Sequence, residues 1–270
     1  MTIDRTGAVA ANRIAWNESA PHHRKTQSYA DLLAGFRTPG YSCLDALLTD
    51  RLRALGVQGR SVAQLCCNNG RELLSVRNLG AERCVGFDQS DAFLAQAREL
   101  AASGALDCRF VETDVYAIPD AYDGQFDIVL ITIGVFGWMP DLPAFMDRAT
   151  RLLRPGGALL VYEQHPVMNM FDPWAEPDPT RLRESYFRAE PFEEHGPILY
   201  EDDAQLSDEG PVNYWFVHTL ADVMTACLRA GLTIEAFSEH PHNISSEAYE
   251  IYNDQPAQAP QSYLLTARKA

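Results

Sequence analysis

The chain has 270 residues, 46% of them apolar, and a formal net charge of -15 from 22 Lys and Arg against 37 Asp and Glu. That length and apolar content support a full core in one domain with an insertion or cap; the acidity argues against a nucleic-acid groove or an anionic membrane surface as partner. No apolar run approaches the roughly 18–20 residues of a membrane span, and the opening stretch MTIDRTGAVAANR lacks a signal peptide's apolar block, so a cytoplasmic protein is expected.

In chain order, residues 1–58 read as a helical cover. VAANRIAWNES, residues from about 26 to 35, and CLDALLTDRLRALG carry apolar residues at three- and four-residue spacing. Residues 59–165 then alternate strands and helices: strand SVAQLC, helix from Gly70 to Leu79, strand RCVGFD, helix DAFLAQARELAAS with Ser90 as N-cap, strand LDCRFVET, strand FDIVLITI, a helix from Asp141 to Leu153, the stop Arg154-Pro155-Gly156-Gly157, and strand ALLVYEQ. The near-continuous apolar character of the last two strands predicts a parallel sheet covered on both faces. Residues 166–214 break the pattern and read as an insertion or cap, because a connection that long is usually functional. Residues 215–270 complete the core with a helix capped by Thr219 and two closing strands, LTIEAFSEH and QSYLLTARKA. The six cysteines (43, 66, 67, 84, 108, 227) form no C-x-x-C pair, so buried reduced thiols are expected, with neither a disulfide scaffold nor a metal site.

The most informative stretch is Val62-Ala63-Gln64-Leu65-Cys66-Cys67-Asn68-Asn69-Gly70-Arg71-Glu72, with Asp88 ending the next strand eighteen residues after Gly70. A strand, a tight small-residue turn, a helix start and a second strand ending in an acid are how an α/β sheet holds a ribose-bearing cofactor. A nicotinamide fingerprint would need Gly where Cys66, Asn68 and Arg71 stand.

Three further motifs follow: Phe110-Val111-Glu112-Thr113-Asp114-Val115, Phe126 to Gly134, and Leu153-Arg154-Pro155-Gly156-Gly157. Their order resembles the class I S-adenosylmethionine (SAM)-dependent methyltransferases. That resemblance implies a Rossmann-like seven-stranded, mostly parallel sheet with an antiparallel last strand, SAM as cofactor and S-adenosylhomocysteine as product. It covers residues 60–165 well and 215–268 less closely. In the first motif Gln64 stands where the family has an acid, and Cys66 and Asn68 replace two glycines; Asn tolerates positive φ better than most residues. The resemblance assigns Gln64, Cys66, Asn68, Asn69 and Gly70 to the cofactor turn and Asp88 to the ribose hydroxyls. It places Gln89, Asp114 and Val115 at the adenine, and Thr132 and Ile133 at the methionine part.

Ligands of open α/β sheets bind beyond the carboxyl ends of the strands. Glu163 and His165 lie there and share a strand face, so His165 is read either as a base or as a histidine capping the strand before Pro166. Trp16, His23, Tyr29, Trp138, Trp215 and His218 are candidate substrate contacts, with core packing as the alternative for each. Between Asp172 and Glu209 the insertion holds twelve acids against Arg181, Arg183 and Arg188, which favours an amine-bearing acceptor if the segment covers the site. The expected activity is methyl transfer to an N, O or S nucleophile of a small molecule, in secondary metabolism and natural-product biosynthesis; a non-catalytic SAM-binding regulator or partner protein is the alternative. Monomer and homodimer both remain open.

Overall fold

The alternation of strands and helices builds a seven-stranded sheet in a computed structural model that describes residues 3–199 and 210–270. Strands β1 (Ser61–Leu65), β2 (Arg83–Asp88), β3 (Cys108–Glu112), β4 (Phe126–Thr132) and β5 (Leu153–Gln164) are parallel. Two short strands, β6 (Phe192–His195) and β7 (Val212–Trp215), form a separate antiparallel ribbon. Strands β8 (Leu232–His240) and β9 (Ser262–Lys269) close the main sheet in the order β3-β2-β1-β4-β5-β9-β8, and β9 runs antiparallel to both neighbours.

The period-two alternation of the central strands explains why they are apolar throughout. Ala63, Leu65, Val129, Ile131, Leu159 and Val161 pack into one core, while Val62, Ile128, Leu130 and Leu160 pack into another across the sheet. Every side chain of β4 but Asp127 is therefore buried, as in parallel sheets with both faces covered. Helices α4 (Arg71–Asn78), α5 (Asp91–Ser103), α6 (Leu142–Leu152) and α7 (Leu220–Arg229) provide this cover, together with α2 (Gln27–Phe36) and α3 (Ala46–Ala54). Short polar side chains start them: Thr26, Asp45, Ser90, Asp141 and Thr219 each accept a hydrogen bond from a first-turn N–H, and Thr219 forms a reciprocal capping box with Asp222.

Helix α1 (Arg5–His23) is longer than its apolar spacing predicts, because Asp4 caps it and Pro21 does not stop it. It crosses the carboxyl edge of the sheet. Asn17 bonds Ser90 and Asp91 at the start of α5, and the Gln96 amide donates to the Ala20 carbonyl. On its other side the Asn12 amide pairs with both backbone groups of Tyr214 in β7, at 2.8 and 3.0 Å, as a strand neighbour would. Ser19 and His23 bond the backbone of Ile198. The insertion thus rests on the N-terminal helix.

Several boundaries differ from the sequence reading. Strand β5 begins at Leu153, so the Pro-Gly-Gly stretch is extended backbone with a register slip opposite Phe126–Ile128, and Gly156 takes φ +75°. The division between 214 and 215 cuts through β7. Of the cysteines, all free, only Cys67, Cys84 and Cys227 are fully buried; Cys43 is exposed, and Cys66 and Cys108 are half-buried. Among the described residues no helix is long and apolar enough to cross a membrane. Glu201, Asp202, Asp203, Asp208 and Glu209 of the acidic insertion lie outside the described residues.

Gly86 in β2 is a point of close approach. A Cβ there would sit 2.6 Å from Cys67 Sγ and 3.0 Å from the Phe110 ring. The Gly86→Ala variant is expected to lose about 1–3 kcal/mol of stability by overpacking, measured as the shift of its urea unfolding midpoint at unchanged slope.

Candidate functional site

The turn after β1 is held in an unusual backbone conformation. Cys66, Asn68 and Gly70 have φ of 52°, 50° and 72°, and the left-handed region costs a non-glycine residue roughly 1–2 kcal/mol. A hydrogen-bond set over-determines it. The Cys67 N–H donates to the Phe87 carbonyl (3.1 Å), the Asn69 N–H to Asn68 Oδ1 (2.7 Å), and the Gly70 N–H to the Cys67 carbonyl (2.7 Å). The Asn68 N–H donates to Asp88 Oδ2 at 2.8 Å, and Asp88 Oδ1 accepts from the Ser90 N–H at 2.9 Å. One carboxylate therefore joins the turn, the end of β2 and the start of α5. Burial pushes the Asp88 carboxyl up, against the pull of these backbone donors. Gly70 is required sterically: a Cβ would stand 2.6 Å from the Phe110 ring.

A second carboxylate organises the loop after β4. Glu163 is 3% exposed and accepts from the N–H groups of Gly134 (2.6 Å), Phe136 (3.0 Å) and Gln164 (2.9 Å). It holds Ile133 and Gly134 at φ of 29° and 83°. Between the two loops lies Gln64, 1% exposed, whose Nε2 donates to Thr132 Oγ1 at 2.8 Å while its Oε1 has no hydrogen-bond partner. An unsatisfied buried oxygen is costly, and Gln64 lines the cavity, so a ligand donor would complete it.

That cavity lies at the carboxyl edge of the sheet and has a volume of about 820 Å³, near the upper end of the ~300–1,000 Å³ seen for small-molecule sites. Gln64, Cys66, Asn68, Asn69, Asp88, Gln89, Asp114, Val115, Thr132 and Ile133 all line it. Asp114 also accepts from the Tyr116 N–H and so caps the short turn that carries Val115. Gly70 does not line the cavity; it shapes the turn behind it. Trp16, His23, Tyr29, Trp138 and Trp215 also line it. Trp16 meets Phe93 and Trp138 edge to face, and Trp138 meets Trp215 at 90° and 5.0 Å.

Three expected placements are corrected, those of Glu163, His165 and His218. His165 and Glu163 do not form a pair, and neither lines the large cavity. His165 accepts from the Val167 N–H through Nδ1 at 3.1 Å, and its Nε2 therefore carries the proton and donates to Glu239 Oε1 at 2.9 Å. Its ring turns towards β8 and β9 because the chain leaves the strand at Gln164, ending the alternation that put the two residues on one face. His218 is likewise outside the cavity, its Nε2 donating to the Met139 carbonyl at 2.7 Å. Tyr29 is on the wall, but its hydroxyl faces Glu99 Oε2 at 3.0 Å and fastens α2 to α5. Nothing in the sequence pattern marked Asn169, Phe171, Phe192, Glu194 or Ser245–Tyr249, which also line the cavity. They come from loops and the ribbon, whose placement has no local periodic signal. Among the described residues no three His, Cys, Asp or Glu side chains are grouped to hold a metal ion.

Residues 62–157 match a family model described as a methyltransferase domain. The chain is 40% identical over 94 residues to a demethylmenaquinone methyltransferase of Thermus thermophilus, covering 35% of this chain and 41% of that protein. It spans less than half the length of the curated relatives it matches. A solved SAM-dependent methyltransferase from Mesorhizobium loti superposes with a TM-score of 0.58 at 22% identity, over 82% of this chain and 96% of that one. The Burkholderia thailandensis 1,6-didemethyltoxoflavin-N1-methyltransferase, solved with 1,6-didemethyltoxoflavin and S-adenosylhomocysteine, gives 0.59 at 16% identity over 100% of this chain and 92% of that one. Residues 62–157 thus match the methyltransferase domain model, and the sheet around them has the class I SAM-dependent methyltransferase fold.

Burial lowers the pKa of His218 below the usual 6.5, outweighing its bond to Met139. The folded state therefore favours neutral His218, and the resulting stability is present above pH 6.5 and lost as pH falls below it. A His218→Gln variant is expected to lose less stability than wild type between pH 7 and 5, read from urea unfolding at each pH; parallel curves would refute the assignment.

Proposed function

We propose that the chain is a SAM-dependent methyltransferase acting on an N, O or S nucleophile of a small molecule, of the kind met in natural-product biosynthesis. The carrying observation is the hydrogen-bonded unit of Asp88 with the 66–70 turn, opening on a cavity of about 820 Å³. Gln64 supplies a fit test for the cofactor. Gln64 lines the cavity between the two loops, and its buried Oε1 has no hydrogen-bond partner, an acceptor that suits the ammonium donor of a methionyl group. Asp88 would take the ribose hydroxyls, Gln89, Asp114 and Val115 the adenine, and Gln64, Thr132 and Ile133 the methionine part. When bound, SAM supplies an electrophilic methyl group on its sulfonium.

The chain's own residues then position and desolvate. The Asp88 unit fixes the nucleoside end, the Glu163-bound loop fixes the other end, and the tryptophan wall excludes water from the space between. Alignment and water exclusion are the protein's main contributions to such a transfer. No protein base is assigned, since both ring nitrogens of His165 are engaged away from the cavity. An amine-bearing acceptor is the finer part of this reading, supported by the acidic insertion.

Calorimetric titration tests it. Wild type is expected to bind SAM and S-adenosylhomocysteine at micromolar Kd, and a folded Asp88→Ala variant to bind both at least about ten-fold more weakly, a change of ~1.4 kcal/mol. Absence of binding to either ligand would sink the proposal. Binding without transfer of labelled methyl to any acceptor pool would favour a non-catalytic SAM-binding protein.

A further inference from the structure

The ribbon of β6 and β7 presents one face to the cavity. Phe192 and Glu194, two residues apart on β6, both line it, and so does Trp215 on β7. Glu193 and His195 point to the other face, where they approach to 3.7 Å. The register pairs Phe192 with Trp215 and Glu194 with Asn213; Asn213 is buried beneath this face and does not line the cavity. Directly opposed side chains have Cβ atoms about 4.5–5.5 Å apart.

This face offers the cavity one charged group, the carboxylate of Glu194, which is exposed there. Among the described residues the Glu194 carboxylate makes neither an ion pair nor a hydrogen bond. Burial alone pushes its pKa up, with no nearby cation offsetting it. Arg188 lies over the Phe192 ring at 4.1 Å but is held by Glu184 at 2.6 Å and by the Glu190 carbonyl, while Arg183, which lines the cavity, donates to the Asp178 carbonyl. Beside Glu194 stands the tryptophan corner, with Trp138 perpendicular to Trp215 and at 74° to Trp16. Indole faces attract cations. Tyr249, on the same cavity, has its phenol pushed up to about 12 by burial, with the Glu194 and Asp172 carboxylates adding to the shift.

We infer that Glu194, with the corner of Trp138 and Trp215, seats a protonated nitrogen of the acceptor. The inference rests on the methyl-transfer reading above and narrows its substrate class to alkyl or arylalkyl amines that enter as cations. The ammonium N–H groups would donate to the Glu194 carboxylate, the charge would compensate it, and the apolar body of the molecule would lie against the indoles. Glu194 acts here as a specificity-determining residue, and no proton transfer is assigned to it.

A matched series separates the possibilities: phenethylamine, 2-phenylethanol and 3-phenylpropionate, titrated calorimetrically with and without S-adenosylhomocysteine. The amine is expected to bind about ten-fold or more tightly than the other two, a preference of electrostatic origin. The isosteric Glu194→Gln variant should lose that preference, while Glu193→Gln, on the opposite face of the same ribbon, keeps it. Unchanged affinity of Glu194→Gln for S-adenosylhomocysteine serves as its folding control. Equal binding of the three compounds, binding of none while S-adenosylhomocysteine binds, or a preference that survives Glu194→Gln would overturn the seat. Failure of S-adenosylhomocysteine to bind, with the amine preference intact, would overturn the cofactor reading and leave the seat standing.

Discussion

The Asp88 carboxylate accepts from the backbone of Asn68 in the turn after β1 and from Ser90 at the start of α5, and the rest of the site is arranged around those two bonds. They hold a left-handed turn that Cys66 and Asn68 would not adopt on their own. They also bring the cap of α5 into line with the end of β2. Burial opposes a charged Asp88, so its fit to backbone donors keeps the site polar where the surrounding core is not.

Glu163 performs the same service on the other side of β1. Three backbone N–H groups converge on it and fix the loop that follows β4. The two carboxylates thus hold the two loops that line the cavity, and Gln64 with Thr132 spans the gap between them. A parallel sheet makes this possible because all five of its parallel strands deliver their ends to one edge. What closes that edge is built differently. Helix α1 uses Asn12 as a surrogate strand partner for β7 and anchors the ribbon through Ser19 and His23.

The aromatic wall follows from that cover. Trp16 belongs to α1, Trp138 to the loop after β4, and Trp215 to the ribbon, yet Trp138 meets Trp16 at 5.2 Å and Trp215 at 5.0 Å. Gly137 permits the contact, since a Cβ there would lie 2.3 Å from the Trp215 ring. The ribbon's one free carboxylate, Glu194, faces the same space. The cover therefore supplies the aromatic and acidic part of the cavity wall, while the sheet supplies the turn and the carboxylates that hold it.

The sheet was legible in the chain because its signals are local. Apolar runs, the caps at Ser90, Asp141 and Thr219, and an acid closing β2 each act within a few residues, and the strand–helix alternation leaves few topologies. The cavity-lining residues of the strand ends were legible for the same reason. His165 misled because strand alternation was carried one residue past the strand's end, where the chain turns and the ring meets Glu239. Glu194, Asn213 and Ser245–Tyr249 carried no local signal, since their neighbours are brought in from distant parts of the chain. The sequence by itself determined the order of elements and the edge at which ligands bind, through periodicity and capping. Only the tertiary structure decided which polar groups are paired and which are left facing the cavity, because pairing depends on contacts between residues far apart in the chain.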